Sequence, residues 1–206
     1  MPEQNQLPQY GYVGKIAWID LTDQSVKIIP TSNYAPKFIG GRAIATKIYW
    51  DVTKPGMKAF DPENPLMFMT GPTTATGIPT GGRTSVCAMA PNNLPEQFCW
   101  GNIGGWFGAK LKFAGFDGIV IVGRSQLPVY IKIDDGEITF HDARNLWGTL
   151  THDCQEKLRA LHGKDAVSAV IGPAGENLCR NASINTSNDN VAAKAGFGAV
   201  MGSKNL

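Results

Sequence analysis

The sequence predicts a β-rich α+β fold built as two similar halves with a few short helices. Its 24 glycines and 13 prolines imply many turns, while 43% hydrophobic residues in a 206-residue chain suffice for one sizeable core. Most apolar runs have strand length, and few show a helical period. Their order is strands, helix, strands, and then the same again, although no clear sequence repeat links the halves.

Residues 1–10 read as a loose polar tail, and the rest as a single domain. From Tyr12 to Leu21 apolar and polar residues alternate as in a half-buried strand, with Val13, Ile16, Trp18 and Ile19 prominent. Asp23 and Gln24 turn the chain into Val26–Ile29, giving a hairpin. Between Asn33 and Asp51 the period becomes helical, with Phe38, Ile44, Ile48 and Trp50 on one stripe; Gly40 and Gly41 predict a kink or two pieces. A loop over 51–65 leads to the apolar run Leu66–Thr70. Strands follow at Thr84–Ala90 and Phe98–Trp100, then a short helix at Gly105–Ala114.

Asp117–Val122, Val129–Ile133 and Glu137–Phe140 read as consecutive strands, the last two joined by the Asp135-Gly136 hairpin signal. A helix over Leu150–Leu161 places Leu150, Cys154, Leu158 and Leu161 on one stripe, with Thr149 as cap and Gly163 as stop. Val167–Ile171 is a further strand.

A net charge of +2, with scattered basic residues, argues against a nucleic-acid partner and against a polybasic membrane patch. No signal-peptide pattern and no membrane-length apolar run is present, so a cytoplasmic protein is expected. Cys87, Cys99, Cys154 and Cys179 contain no C-x-x-C pair and read as reduced structural residues. His141, His152 and His162 are dispersed and read as surface or capping residues, and Ser85, Asp117 and Asp142 have no partner that spacing brings near. No catalytic residue is assigned. The run Gly196–Gly202 (GFGAVMG) departs from both the dinucleotide and the P-loop patterns, so its glycines are expected to serve close packing.

The stretch Pro79–Asp117 organises the chain. It sets a Gly-Gly-Arg turn (Gly81, Gly82, Arg83) before one strand and an Asn-x-Gly-Gly turn (Asn102, Gly104, Gly105) after the next. Bare backbone lets a polyanionic or planar ligand come close, and an arginine can hold a phosphate with two parallel bonds. The expectation is a floor for a large phosphorylated cofactor.

PTGGR, NIGGWFGAKLKFAGFD, IGPAGENL (Ile171–Leu178) and GAVMGSKNL (Gly198–Leu206) together resemble, in order, the N-terminal domain of the tungsten-containing aldehyde:ferredoxin oxidoreductases. The resemblance implies two β-sheets about a pseudo-two-fold axis. It also implies that the family continues beyond this region with another strand and two further domains that carry the cluster-binding cysteines. The chain is therefore expected to be a severed domain or a subunit of a split enzyme.

The resemblance further implies a tungsten (or molybdenum) bis-pyranopterin, with Arg83 on its phosphates and Gly104 in contact with it. Backbone carbonyls of Asn102 and Val191 would hold the Mg2+ that bridges the phosphates, a suitable oxygen donor set. Asn190, Val191, Ala193 and Lys194 would supply the second half of the site, with Asn190 and Lys194 standing where the family carries arginines. Lysine retains the charge, and the amide does not. The implied activity is oxidation of an aldehyde to a carboxylic acid, with electrons passed through a [4Fe-4S] cluster outside this chain to ferredoxin or an iron–sulfur subunit. The alternatives are reduction of an aromatic thioester, or a non-catalytic pterin- or phosphate-binding assembly subunit.

Overall fold

The structure, a computed structural model, describes residues 10–187 and 189–206. The expected tail at 1–10 falls outside the described residues except for Tyr10. The chain opens with the antiparallel hairpin β1 (Lys15–Asp20) and β2 (Ser25–Pro30), as the alternation predicts. The helical stretch divides at Gly40 into α1 (Ala35–Phe38) and α2 (Gly41–Val52). Strands β3 (Leu66–Met69), β4 (Thr84–Ala90) and β5 (Gln97–Ile103) follow, then α3 (Phe107–Phe113) and β6 (Gly118–Val122).

These strands form a six-stranded sheet in the order β2-β1-β6-β3-β4-β5. All neighbours are antiparallel except β1 and β6. Every residue of β3 is buried, as expected for a central strand covered on both faces. On one face α2 packs Ile44, Ala45 and Ile48 against Ile16, Met67, Met69, Cys87 and Val120. The other face, with Ala17, Ile19, Phe68, Val86 and Ile121, forms the main core against the second half.

The second half repeats the order: hairpin β7 (Val129–Asp134) and β8 (Glu137–Asp142), helix α4 (Thr151–His162), β9 (Ala169–Val170), short α5 (Pro173–Glu176), β10 (Ile184–Thr186), β11 (Asn190–Ala192) and α6 (Phe197–Ser203). Here the strands form two pieces, β7-β8 and β9-β10-β11.

The halves are equivalent, as the order of elements predicts, and the structure exposes a sequence correspondence that was not clear from the sequence. At one constant offset α3 (FGAKLKF) matches α6 (FGAVMGS). The Phe116 amide donates to the Leu111 carbonyl at 3.1 Å as Leu206 does to Met201 at 3.4 Å. Thr70-Gly71-Pro72 after β3 likewise corresponds to Ile171-Gly172-Pro173 after β9. The identities are few because only the tight turns and helix starts demand particular residues.

Several expectations change. Strand β6 leaves the run it shares with β7 and β8 and inserts between β1 and β3. Trp50 is 80% exposed, and Leu150 and Leu161 are also exposed; α4 instead buries Cys154, Gln155 and Leu158. The Thr149 hydroxyl donates to the Leu146 carbonyl and does not cap α4, whereas Gly163 does end it at φ +98°. Asp117 is far from partnerless: it is 4% exposed and accepts from the Val13 amide (3.0 Å), the Gly14 amide (2.7 Å) and the Thr31 hydroxyl (2.7 Å). It also pairs with buried Lys112 at 3.5 Å. Asp142 pairs with Arg144 two residues on. His141 and His162 are not dispersed either, since His141 stacks on Tyr130 and His162 meets the same ring edge-on.

All four cysteines are free. Cys87 and Cys154 are buried, but Cys179 is exposed and has no core role. Burial pushes the Cys87 thiol up to about 12. Because the thiolate is the nucleophile, iodoacetamide at pH 8 is expected to label Cys179 in the native protein and Cys87 only after unfolding. Peptide mapping of the labelled protein checks this.

The glycines of Gly196–Gly202 do serve close packing. A Cβ on Gly198 would lie 2.4 Å from the Ser183 carbonyl oxygen, and one on Gly202 would lie 2.1 Å from that of Gly175. The partners are α5 and the segment before β10 rather than a sheet face.

Candidate functional site

Strands β4 and β5 deliver the two glycine turns to the same place. Ser85 pairs with Asn102 and Thr84 with Ile103, so Arg83 and Gly104 leave the ladder side by side. Asn102 is the penultimate residue of β5 rather than part of a loop. A Cβ on Gly82 would stand 3.7 Å from the Gly105 carbonyl oxygen, which places the turns in van der Waals contact. Arg83 and Asn102 are both exposed there.

The second half supplies the facing lip. β11 lies along β5, and a Cβ on Gly101 would meet the Lys194 carbonyl oxygen at 3.6 Å. Asn190 sits against the Gly-Gly turn: a Cβ on Gly104 would be 2.8 Å from its Oδ1, and one on Gly105 would be 2.6 Å from its Nδ2. On that side the missing side chains admit the Asn190 amide, so these glycines also join the two halves. Val191 is 40% exposed, and Ala193 and Lys194 are exposed beside it. The structure thus brings together all seven residues singled out from the sequence: Arg83, Asn102, Gly104, Asn190, Val191, Ala193 and Lys194.

Two residues escaped the sequence reading. Arg42, in the first turn of α2, places its guanidinium carbon 4.3 Å from the centroid of the Trp100 ring, and the Lys194 ammonium lies 4.7 Å from the same ring. Gly41 makes this possible, because the start of α2 approaches β4 until a Cβ on Gly41 would be 3.3 Å from the Ser85 hydroxyl. The signal was present: Gly40-Gly41-Arg42 repeats the tripeptide Gly81-Gly82-Arg83. Among the described residues, Arg42, Arg83 and Lys194 take part in no ion pair. Two cations over one half-exposed indole, with Arg83 at the end of the neighbouring strand, make an anion-attracting surface with a flat apolar floor.

The lips are equivalent parts of the two halves. Gly105 (φ +69°) and Ala195 (φ +77°) occupy the same left-handed position before α3 and α6. The site therefore lies where the two repeats meet.

A family model described as "Aldehyde ferredoxin oxidoreductase, N-terminal domain" matches residues 16–206. The chain belongs to the aldehyde ferredoxin oxidoreductase family. It is 41% identical over 199 residues to a tungsten-containing aldehyde ferredoxin oxidoreductase of Pyrococcus abyssi, covering 96% of this chain and 32% of that one. It is 36% identical over 214 residues to the WOR-like subunit of an aliphatic sulfonate oxidoreductase of Pyrococcus furiosus, with 96% and 34% covered. Among solved structures, the active-site complex BamBC of benzoyl coenzyme A reductase with 1,5-dienoyl-CoA aligns with a TM-score of 0.91 at 33% identity, covering 96% of this chain and 30% of that one. The chain spans about a third of the length of these relatives. No helix among the described residues is long and apolar enough to cross a membrane.

Proposed function

We propose that this chain is the cofactor-platform domain of a tungsten- or molybdenum-dependent oxidoreductase of the family, and that the site between the repeats seats the phosphorylated ends of its pyranopterins. The observation that carries this reading is that Arg42 and Lys194 lie over Trp100 while Arg83 stands at the two paired glycine turns, none of the three in an ion pair among the described residues. The donors fit the group. Guanidinium and ammonium groups suit phosphate, and the main-chain carbonyls of Asn102 and Val191 suit Mg2+. When bound, the group supplies two-electron redox chemistry at its metal.

The chain's own residues bind and orient. Arg83 and Lys194 neutralise phosphate from the two lips, Arg42 adds charge over Trp100, and Gly104 and Ala193 offer main chain without bulk. The Asn190 amide holds the lips together in place of a guanidinium. Among the described residues no three of His, Cys, Asp and Glu cluster to hold a metal, so the [4Fe-4S] ligands and the electron path to ferredoxin are assigned to the rest of the longer protein. The relatives named for an aldehyde, an aliphatic sulfonate and a coenzyme A thioester share this domain, so substrate choice is assigned to those other parts as well.

The test is metal and pterin content of the full-length enzyme carrying Arg83→Ala, Lys194→Ala or both. Each lost charge-assisted contact corresponds to about 1.5–3 kcal/mol, or roughly 10–100-fold in affinity. The double variant is expected to lose most of its tungsten and pterin while keeping its circular dichroism, and Lys194→Arg to retain both. Full occupancy in the folded double variant would refute the assignment.

A further inference from the structure

A cleft of about 330 Å³ is built by both repeats and shares no residue with the site above. Trp106 and Lys110 come from α3 and the residue before it, Arg159 from the last turn of α4, Lys164 and Asp165 from the turn before β9, and Ser187 from just after β10. Trp106 directly follows Gly105, and Ser187 precedes Asn190 in the same loop, so the cleft borders both lips.

Its lining sets three cations against one carboxylate. Among the described residues Lys110, Arg159 and Lys164 take part in no ion pair and no side-chain hydrogen bond, so Asp165 neutralises none of them. Arg159 is half-buried, and its Nε is sealed from water without an acceptor. A charged donor left unmet inside a fold is costly, and such a group calls for an ion or ligand nearby. The Nε itself is out of reach, but nothing in the fold anchors the guanidinium, whose outer nitrogens are free to turn toward an anion. Ser187 is 8% exposed, and its hydroxyl accepts from the Ser168 amide at 3.3 Å, which leaves its own proton to donate. Trp106 is 59% exposed and adds a flat apolar wall.

Donors thus dominate the cleft, and its volume falls within the range of small-molecule sites, about 300–1,000 Å³, with more room than a bare tetrahedral ion fills. We infer that it binds the oxyanion of a small organic molecule, held by Arg159, Lys164 and Lys110, with the molecule's apolar or aromatic body against Trp106. Asp165 stands at the same cleft as a like charge and weakens the grip.

Calorimetric titration of the full-length enzyme with phenyl phosphate and with inorganic phosphate tests this. Both are expected to bind saturably, phenyl phosphate about tenfold more tightly, and Trp106→Ala is expected to abolish the difference. Arg159→Gln and Lys164→Gln should each weaken both probes roughly tenfold, whereas Asp165→Asn should tighten them. Because these side chains make no bond to the fold among the described residues, the variants should keep their circular dichroism. Tungsten and pterin contents should be unchanged in Arg159→Gln, and phenyl phosphate affinity unchanged in Arg83→Ala, which separates a failure here from a failure of the cofactor reading. Undiminished binding in the folded Arg159→Gln/Lys164→Gln double variant would overturn the inference. So would the absence of saturable binding by the unaltered enzyme, which would mean that the rest of the longer protein closes the cleft.

Discussion

Asp117→Ala is expected to lower the unfolding free energy by about 3–5 kcal/mol, because it leaves Lys112 buried without its countercharge. Asp117 ties four elements together. Its carboxylate accepts from the amides before β1 and from Thr31 after β2, it pairs with Lys112 on α3, and its backbone carbonyl accepts from the Thr70 amide (2.9 Å) and hydroxyl (2.7 Å) after β3. Burial already lowers the Lys112 pKa, and the opposing attraction of Asp117 is what keeps that cation in place. Lys112→Met in the same chain should therefore recover part of the loss. Urea midpoints of the two single variants and the double variant check this, and additive losses would show that the pair is not coupled.

Gly202→Ala is expected to cost about 3 kcal/mol by overpacking. The new methyl would fall 2.1 Å from the Gly175 carbonyl oxygen and 2.6 Å from its carbon, both backbone atoms that cannot swing aside as a side-chain end can. α6 would have to lift off α5, drawing Val200 and Met201 out of the main core. Gly71→Ala serves as the control, since nothing lies within 4 Å of a Cβ there, and its midpoint should move by less than about 0.5 kcal/mol. Comparable losses in both variants would point to glycine flexibility rather than contact as the cause.

Local chemistry made much of the fold legible. The β1-β2 and β7-β8 hairpins announce themselves through alternation and turn residues, and the break at Gly40 follows from two adjacent glycines in a helical stripe. Partnering at long range was not legible. Nothing within Gly118–Val122 says that it joins β1 in parallel rather than β7, because a fully buried strand is apolar on both sides and carries no face information. The exposed Leu150 and Leu161 misled for the opposite reason: they fit the helical period at the ends of α4, beyond the part that packs.

The candidate site divides in the same way. Arg83 and Asn102 are neighbours through one ladder, so their juxtaposition followed from two strands and two turns. Arg42 reaches Trp100 only because α2 packs down onto β4, a tertiary fact that no local pattern records.

The placement of that site has a thermodynamic consequence. Its two lips belong to different repeats, so any ligand gripping both acts as a clasp across their boundary. Its affinity is then added to the cohesion of the folded chain by mass action, about 2.7 kcal/mol at a hundredfold excess over Kd. Melting temperature would accordingly report how full the seat is, and loosening either repeat would release the guest.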